Sequence, residues 1–229
     1  MIVSIHQPQY LPWLGYFDKI AKSDVFVLLD NVQFKKNEWQ NRNRIKTARG
    51  WQWLTVPVIH RLSQKIGEVK INNTVAWGKK HLQALITNYS KAAFFKEHIT
   101  FFEKTYTQEW SFLVDINVHI IHYLAKAFGL SDKKLVRASE YELRDEATER
   151  LIDLCKHFRA DVYLSGKDGP KYLNLAFFEK EGIRVIFQDY QHPRYPQLYG
   201  DFEPYLSAID LLFNCGSGGL SILTKGGSN

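Results

Sequence analysis

Cysteine is scarce in this 229-residue chain, where only Cys155 and Cys215 occur. The pair offers no disulfide framework and no CxxC metal motif, which points to a reducing compartment. No stretch approaches the ~20 uninterrupted apolar residues that a membrane-spanning helix needs. The start of the chain lacks the basic n-region, apolar core and small-residue cleavage site of a secretory signal, so the expected setting is the cytoplasm. Catalytic signatures are missing too. There is no GxSxG elbow for a serine nucleophile, and neither cysteine follows a strand in an electropositive turn. The GxxxxGK[ST] order of a Walker A loop is absent, and no cluster has metal-ligand spacing. What remains suits a reaction carried by positioned polar groups and an activated substrate rather than by a covalent enzyme intermediate.

Hydrophobic residues make up 45% and charged residues 24%, the balance of an ordinary soluble globule. The length fits one α/β domain, residues 1–229, with a helical insertion at about 76–130. Ile2–His6 reads as a strand, Trp13–Lys22 as a helix and Asp24–Asp30 as a second strand. Val25 to Leu29 form the continuous apolar run of a strand covered on both faces. Strands are also expected at Trp53–Val58, at Ile66–Ile71, at Leu135–Ala138, at Asp161–Leu164 and at Arg184–Phe187. Helical spacing runs through Leu82, Leu85, Ile86 and Tyr89, and again through Phe112, Ile116, His119, Ile120 and Tyr123. His119 and His122 stand three apart on an apolar ladder, which favours packing over metal ligation. Further helices are expected at Asp145–Phe158, Lys171–Gly182 and Leu206–Phe213, before a flexible end marked by Gly216, Gly218, Gly219, Gly226 and Gly227. The fold class is α/β: a mostly parallel, doubly wound, Rossmann-like sheet with a helical insertion.

Such sheets place their chemistry at the carboxyl ends of the strands. The first junction supplies His6, Gln7, Tyr10, Trp13 and Tyr16; the second supplies Asn31 and Gln33. Ser165, Gly166, Lys167 and Lys171 form a glycine-containing turn before a helix, where backbone N–H groups and lysines attract anions. Gln188 to Gln197 add Tyr190, His192 and Arg194, and the same stretch serves equally as a rigid loop packed by aromatics. The net charge of +6 favours an anionic partner. Lys35, Lys36, Arg42, Arg44, Lys46 and Arg49 crowd one segment with Trp39, Asn41 and, just beyond, Trp51 and Trp53. Cations interleaved with aromatics grip phosphates and stack on bases or sugars, whereas a solvated basic loop beside core tryptophans has the same composition. Asp210 and Asn214, four apart on the last helix, need hydrogen-bond partners that a crevice loop would provide.

The segments HQPQYLPWLGYFDKI, DVFVLLDNVQF, NEWQNRNRIK, WLTVPV, YLSGKDGPKYL, QDYQHPRYPQ and DLLFNCG resemble the WbqC-like family over nearly the whole chain. That family is encoded in bacterial polysaccharide and O-antigen gene clusters. The resemblance implies a cytoplasmic transferase or ligase making surface-polysaccharide precursors, by acyl or aminoacyl transfer to a nucleotide-linked amino sugar. In that reading Lys35, Arg42, Lys167 and Lys171 neutralise phosphates, while Trp13, Tyr16 or Trp39 stacks on the base or sugar. His6 or His192 accepts the proton. A second resemblance, of the PxxxxWLGY and NVQF segments, is to the HxGH region of pantoate–amine ligases and related nucleotidyltransferases. Trp13 and Tyr16 stand where the two histidines of that motif would be. This similarity implies an alternative in which ATP with magnesium supports acyl adenylation or nucleotidyl transfer. Binding of aminoacyl-tRNA or RNA through the 35–49 segment, and noncatalytic sugar binding, are the remaining alternatives.

Overall fold

In the computed structural model, which describes residues 1–225, the chain begins in the middle of its main sheet. Strand β1 (Ile2–His6) leads through a loop into helix α1 (Leu14–Ala21), and β2 (Val25–Leu28) then pairs parallel to β1. All four β2 residues are buried, as the unbroken apolar run requires. The chain leaves the sheet for a hairpin, β3 (Arg42–Thr47) and β4 (Gly50–Thr55), and a short antiparallel pair, β5 (Val58–Ile59) and β6 (Lys70–Ile71). Helices α2 (Trp77–Tyr89), α3 (Phe95–Thr107) and α4 (Leu113–Ala127) form the insertion. The sheet resumes with β7 (Lys134–Arg137), α5 (Ala147–His157), β8 (Val162–Ser165), α6 (Leu175–Lys180) and β9 (Arg184–Phe187). Helices α7 (Ile209–Cys215) and α8 (Gly219–Lys225) follow.

The five main strands lie in the order β7-β2-β1-β8-β9, and every pairing is parallel. The chain therefore walks from β1 to one edge, returns to the other side of β1, and walks to the opposite edge. The reversal lies between β1 and β8. Strand alternation divides the core accordingly. Val3, Ile5, Val25 and Val27 pack with Leu151, Leu154 and Phe178 from α5 and α6. Phe26 and Leu28 face the other way, into one continuous apolar cluster with α1, the insertion helices and α7. Phe17 of α1 meets Phe128 at the end of α4, with ring centroids 5.6 Å apart. The insertion thus shares the core of the sheet.

Three expectations are corrected. The segment at Trp53–Val58 is no strand of the main sheet: Trp51 and Trp53 belong to β4, which pairs with the basic segment itself as a hairpin. Ile45 is the sole large apolar residue of β3, so alternation there is faint in the sequence. At Ile66–Ile71 a 3-10 turn (Ile66–Glu68) precedes the short β6. The glycine-marked end forms a 3-10 turn (Gly216–Gly218) and α8, with Leu223 fully buried. A Cβ at Gly216, where φ is +59°, would press on the Phe94 ring, so this glycine permits close packing. Gly226 and Gly227 lie outside the described residues.

Candidate functional site

Beyond Ser4 and Leu164, strands β1 and β8 no longer pair. The carbonyls of Ile2 and His6 accept from the β2 side and that of Met1 from the β8 side, so alternation turns the Ile5 carbonyl towards β8. There it meets a charge. The Lys19 ammonium, on α1, donates to the Ile5 oxygen at 3.2 Å and is almost wholly enclosed. Burial lowers the Lys19 pKa to about 7.

Above this point opens a crevice of about 490 Å³. His6, Gln7 and Lys19 form its floor. Trp13, Tyr190 and Tyr205 form an aromatic wall, the indole meeting the Tyr190 ring edge-on at 5.5 Å and the Tyr205 ring at 6.1 Å. The opposite side is built by Gly166, Lys167 and Asp168 after β8 and by Thr148 and Arg150 of α5. A doubly wound sheet binds its ligands at such a reversal of strand order.

Local structure explains the placement. Leu11 adopts a left-handed φ of +47°, held by full burial and by Asn43 donating to its carbonyl at 2.6 Å. The turn delivers Trp13 to the start of α1, where its indole covers Gly15 so closely that any Cβ there would collide. Helix α1 starts without a side-chain cap, whereas the α5 amides are capped by Glu146. The first turn of α1 lines the crevice through Gly15 and Tyr16, with the Tyr16 N–H donating to the Trp13 carbonyl at 3.1 Å. Gln188, at the end of β9, donates to the Gly15 carbonyl at 2.8 Å and to Asp18 at 2.7 Å, tying the loop after β9 to α1.

His6 Nδ1 lies 3.2 Å from the Gln7 carbonyl. A carbonyl only accepts, so that nitrogen holds the proton and Nε2 keeps its lone pair. Burial, helped by Lys19, lowers the His6 pKa to about 3. The imidazole is therefore neutral throughout the physiological range, and Lys19 is the floor group that titrates near neutrality.

A family model described as the WbqC-like protein family matches residues 7–222. The chain belongs to this family. It is 43% identical over 219 residues, 94% of both chains, to a Mycobacterium tuberculosis (strain ATCC 25618 / H37Rv) protein described as uncharacterized protein Rv1507c. No solved structure matches.

In this WbqC-like protein the crevice brings together His6, Gln7, Trp13, Tyr16, Gly166, Lys167 and Tyr190. Asn31 lies in an adjoining depression of about 520 Å³ that shares Arg150 with the crevice. There Asp30 is buried and accepts from Arg137 at 2.7 Å and from the Ser139 hydroxyl at 2.8 Å. His192 does not line the crevice; its half-buried ring packs 5.0 Å from that of the wall residue Tyr205, and burial lowers its pKa. Tyr10 is buried with its hydroxyl 2.7 Å from His81 Nδ1, and Asn41 donates to the Val56 carbonyl. Ser165 is buried beneath its loop, and Lys171 pairs with Asp168 at 2.6 Å on the surface. Gln33 is exposed beside Lys65, and Arg194 lies over Phe202. Lys35, Trp39 and Arg42 belong to the hairpin region and do not line the crevice.

Sequence reasoning did not select Lys19, Arg150, Asp168, Gln188 or Tyr205. For Lys19 the pattern gives the opposite signal: Leu14, Tyr16, Phe17 and Ile20 fall on one face of α1 and Asp18 and Lys19 on the other, as in a half-exposed helix, yet every residue from Leu14 to Ile20 is buried. His119, expected to pack, stacks on Phe101 with centroids 4.8 Å apart. No helix of the described residues is long and apolar enough to cross a membrane.

Proposed function

We propose that the protein is a transferase or ligase of surface-polysaccharide precursor synthesis, adding an acyl or aminoacyl group to a nucleotide-linked amino sugar. The observation that carries this reading is the composition of the crevice at the strand reversal. Cations (Lys167, Arg150), an uncapped helix start, an aromatic wall and a near-neutral lysine converge there. Phosphates match the first two, and a base or sugar ring matches the wall.

The chemistry follows from the floor. The sugar amine attacks the carbonyl carbon of the acyl donor, a nitrogen–carbon bond forms, and the donor's leaving group departs with the bonding pair. Lys19 in its neutral form accepts the proton released by the amine, since a base works best with a pKa near the working pH. Neutral His6 accepts a hydrogen bond at Nε2 and orients the amine.

A thermal-shift screen of nucleotides and nucleotide-linked amino sugars tests the reading. A ligand at a hundredfold excess over its Kd stabilises by about 2.7 kcal/mol. The expected result is a clear upward shift with at least one nucleotide-linked amino sugar, diminished in Lys167→Ala. Shifts produced by free sugars but by no phosphorylated compound would refute it.

A further inference from the structure

The β3–β4 hairpin stands outside the main sheet and presents a surface that the crevice does not use. Arg44 pairs with Trp53 and Lys46 with Trp51, so these side chains share one face with Arg42. The other face holds Asn43, Ile45 and Leu54, all buried. Alternation therefore turns guanidiniums and indoles outward together. Trp51 and Trp53 are 41% and 37% exposed, and Trp39, from the preceding turn, is 38% exposed.

These rings form a run. Trp39 and Trp51 each lie 5.6 Å from Trp53, centroid to centroid. Arg42 sits 4.2 Å over the Trp53 ring and Arg44 sits 4.9 Å over Trp51. Stacking fixes the plane of each guanidinium and keeps its charge, leaving N–H edges for an anion. A groove of about 390 Å³ runs between the indoles and Asn37–Glu38. Lys35 and Lys36, just before the groove residue Asn37, and Arg49 in the hairpin turn are exposed, and Glu38 is the single carboxylate from residue 35 to residue 49. Lys46, on the same face, is covered by the loop that follows β9 and donates to Gln197 and to the Asp201 carbonyl.

We propose that this face binds single-stranded nucleic acid. Its polar groups are mostly cationic donors, which match phosphates better than the mixed donors and acceptors of a neutral glycan. Its stacking surfaces require bases with free faces, which a duplex withholds. Arg44 also donates to the Tyr205 carbonyl at 3.1 Å, so the groove adjoins the aromatic wall of the crevice. Nucleic-acid binding here does not depend on the reaction assigned to the crevice.

The test is a titration of the full chain with a labelled 12-nucleotide single-stranded RNA. Its duplex form, polyglutamate and a neutral dextran oligosaccharide are run beside it. The single strand is expected to quench indole fluorescence and to bind at least tenfold more tightly than the duplex. With Arg42 and Arg44 on phosphates, log K falls against log salt with a slope of about −1.4 or steeper. Trp39→Ala and Trp51→Ala, at exposed rings, each weaken binding about fivefold or more, the loss of one stacked base, and Trp→Phe at either position restores most of it. Lys35→Gln with Lys36→Gln flattens the salt slope. The crevice ligand's thermal shift stays unchanged in all these variants, which separates failure here from failure of the proposed reaction. No saturable binding of the single strand, or equal affinity for duplex or polyglutamate, overturns the proposal. So does saturable dextran binding in its place, or RNA binding that the Trp→Ala changes leave intact.

Discussion

Lys19 Nζ lies 3.2 Å from the carbonyl oxygen of Ile5, at the point where β1 and β8 separate. A ladder would ordinarily satisfy that carbonyl from the neighbouring strand. Here a buried amine does so, and the molecule keeps a titratable group at a position where an apolar side chain would be more stable. Such an arrangement fits a functional role, because buried charge costs stability.

Lys19→Met retains the aliphatic stem and removes the amine. Turnover is expected to fall ~10²–10⁴-fold, the usual worth of a general base. Stability moves the other way. The folded pKa of about 7 lies below the ordinary lysine value of 10.5, so the folded state resists protonation. Its penalty is complete below pH 7 and disappears above pH 10.5. Lys19→Met should therefore raise the unfolding midpoint at pH 6, with a gain of at most about 5 kcal/mol, and lose that advantage as pH rises. Thermal melts at pH 6 and pH 9.5 measure the difference.

The pH dependence of kcat/KM should report the same amine. Only neutral Lys19 accepts a proton, so the rate should rise tenfold per pH unit below about 7 and level off above it. His6, with its pKa near 3, adds no inflection between pH 5 and 8. A rate that falls with pH across this range would assign the proton transfer to another group.

Gln188→Leu removes both hydrogen bonds that hold α1 to the loop after β9 and leaves the buried Asp18 carboxylate short of a partner. A destabilisation of about 1–3 kcal/mol is expected in denaturant titration. Ligand affinity should fall as well, because Gly15 and Tyr190 lose their common tether.

Asp210 is buried in α7 and accepts from Tyr89 and from Gln197, both at 2.9 Å, so α7 holds the loop that follows β9. Burial raises its pKa to about 6. The folded state prefers the protonated acid, a contribution to stability present below pH 3.8 and lost as pH rises through 6. Relative to the native chain, Asp210→Asn should become more favourable from pH 4 to pH 8, by about 2–3 kcal/mol. Paired melts at the two pH values test the sign.

Much of the frame was legible because its signals are local. Ile2–His6 and Arg184–Phe187 are apolar runs bounded by polar turns, and their strand ends locate the crevice without coordinates. Asp210 could be expected to hold a crevice loop, since a lone acid among apolar residues must find donors, and Gln197 supplies one. Its neighbour Asn214 instead donates to the Asp210 carbonyl within the helix. The hairpin was hidden because Arg42, Arg44 and Lys46 give β3 a charged outer face, which reads as a loop. His192 shows the limit of the junction rule. Its ring packs against Tyr195, Phe202 and Tyr205, and this packing, set by distant residues, keeps the imidazole out of the crevice lining.

Equilibrium binding of the nucleotide-linked amino sugar selected by thermal shift tests the central claim most directly, using three variants compared with the native chain. Trp13→Ala and Lys167→Ala, both lining the space between β1 and β8, should each weaken binding tenfold or more, while Asn31→Ala in the adjoining depression leaves it unchanged. Undiminished affinity in the first two variants, with loss in Asn31→Ala, would place the ligand elsewhere and contradict the account.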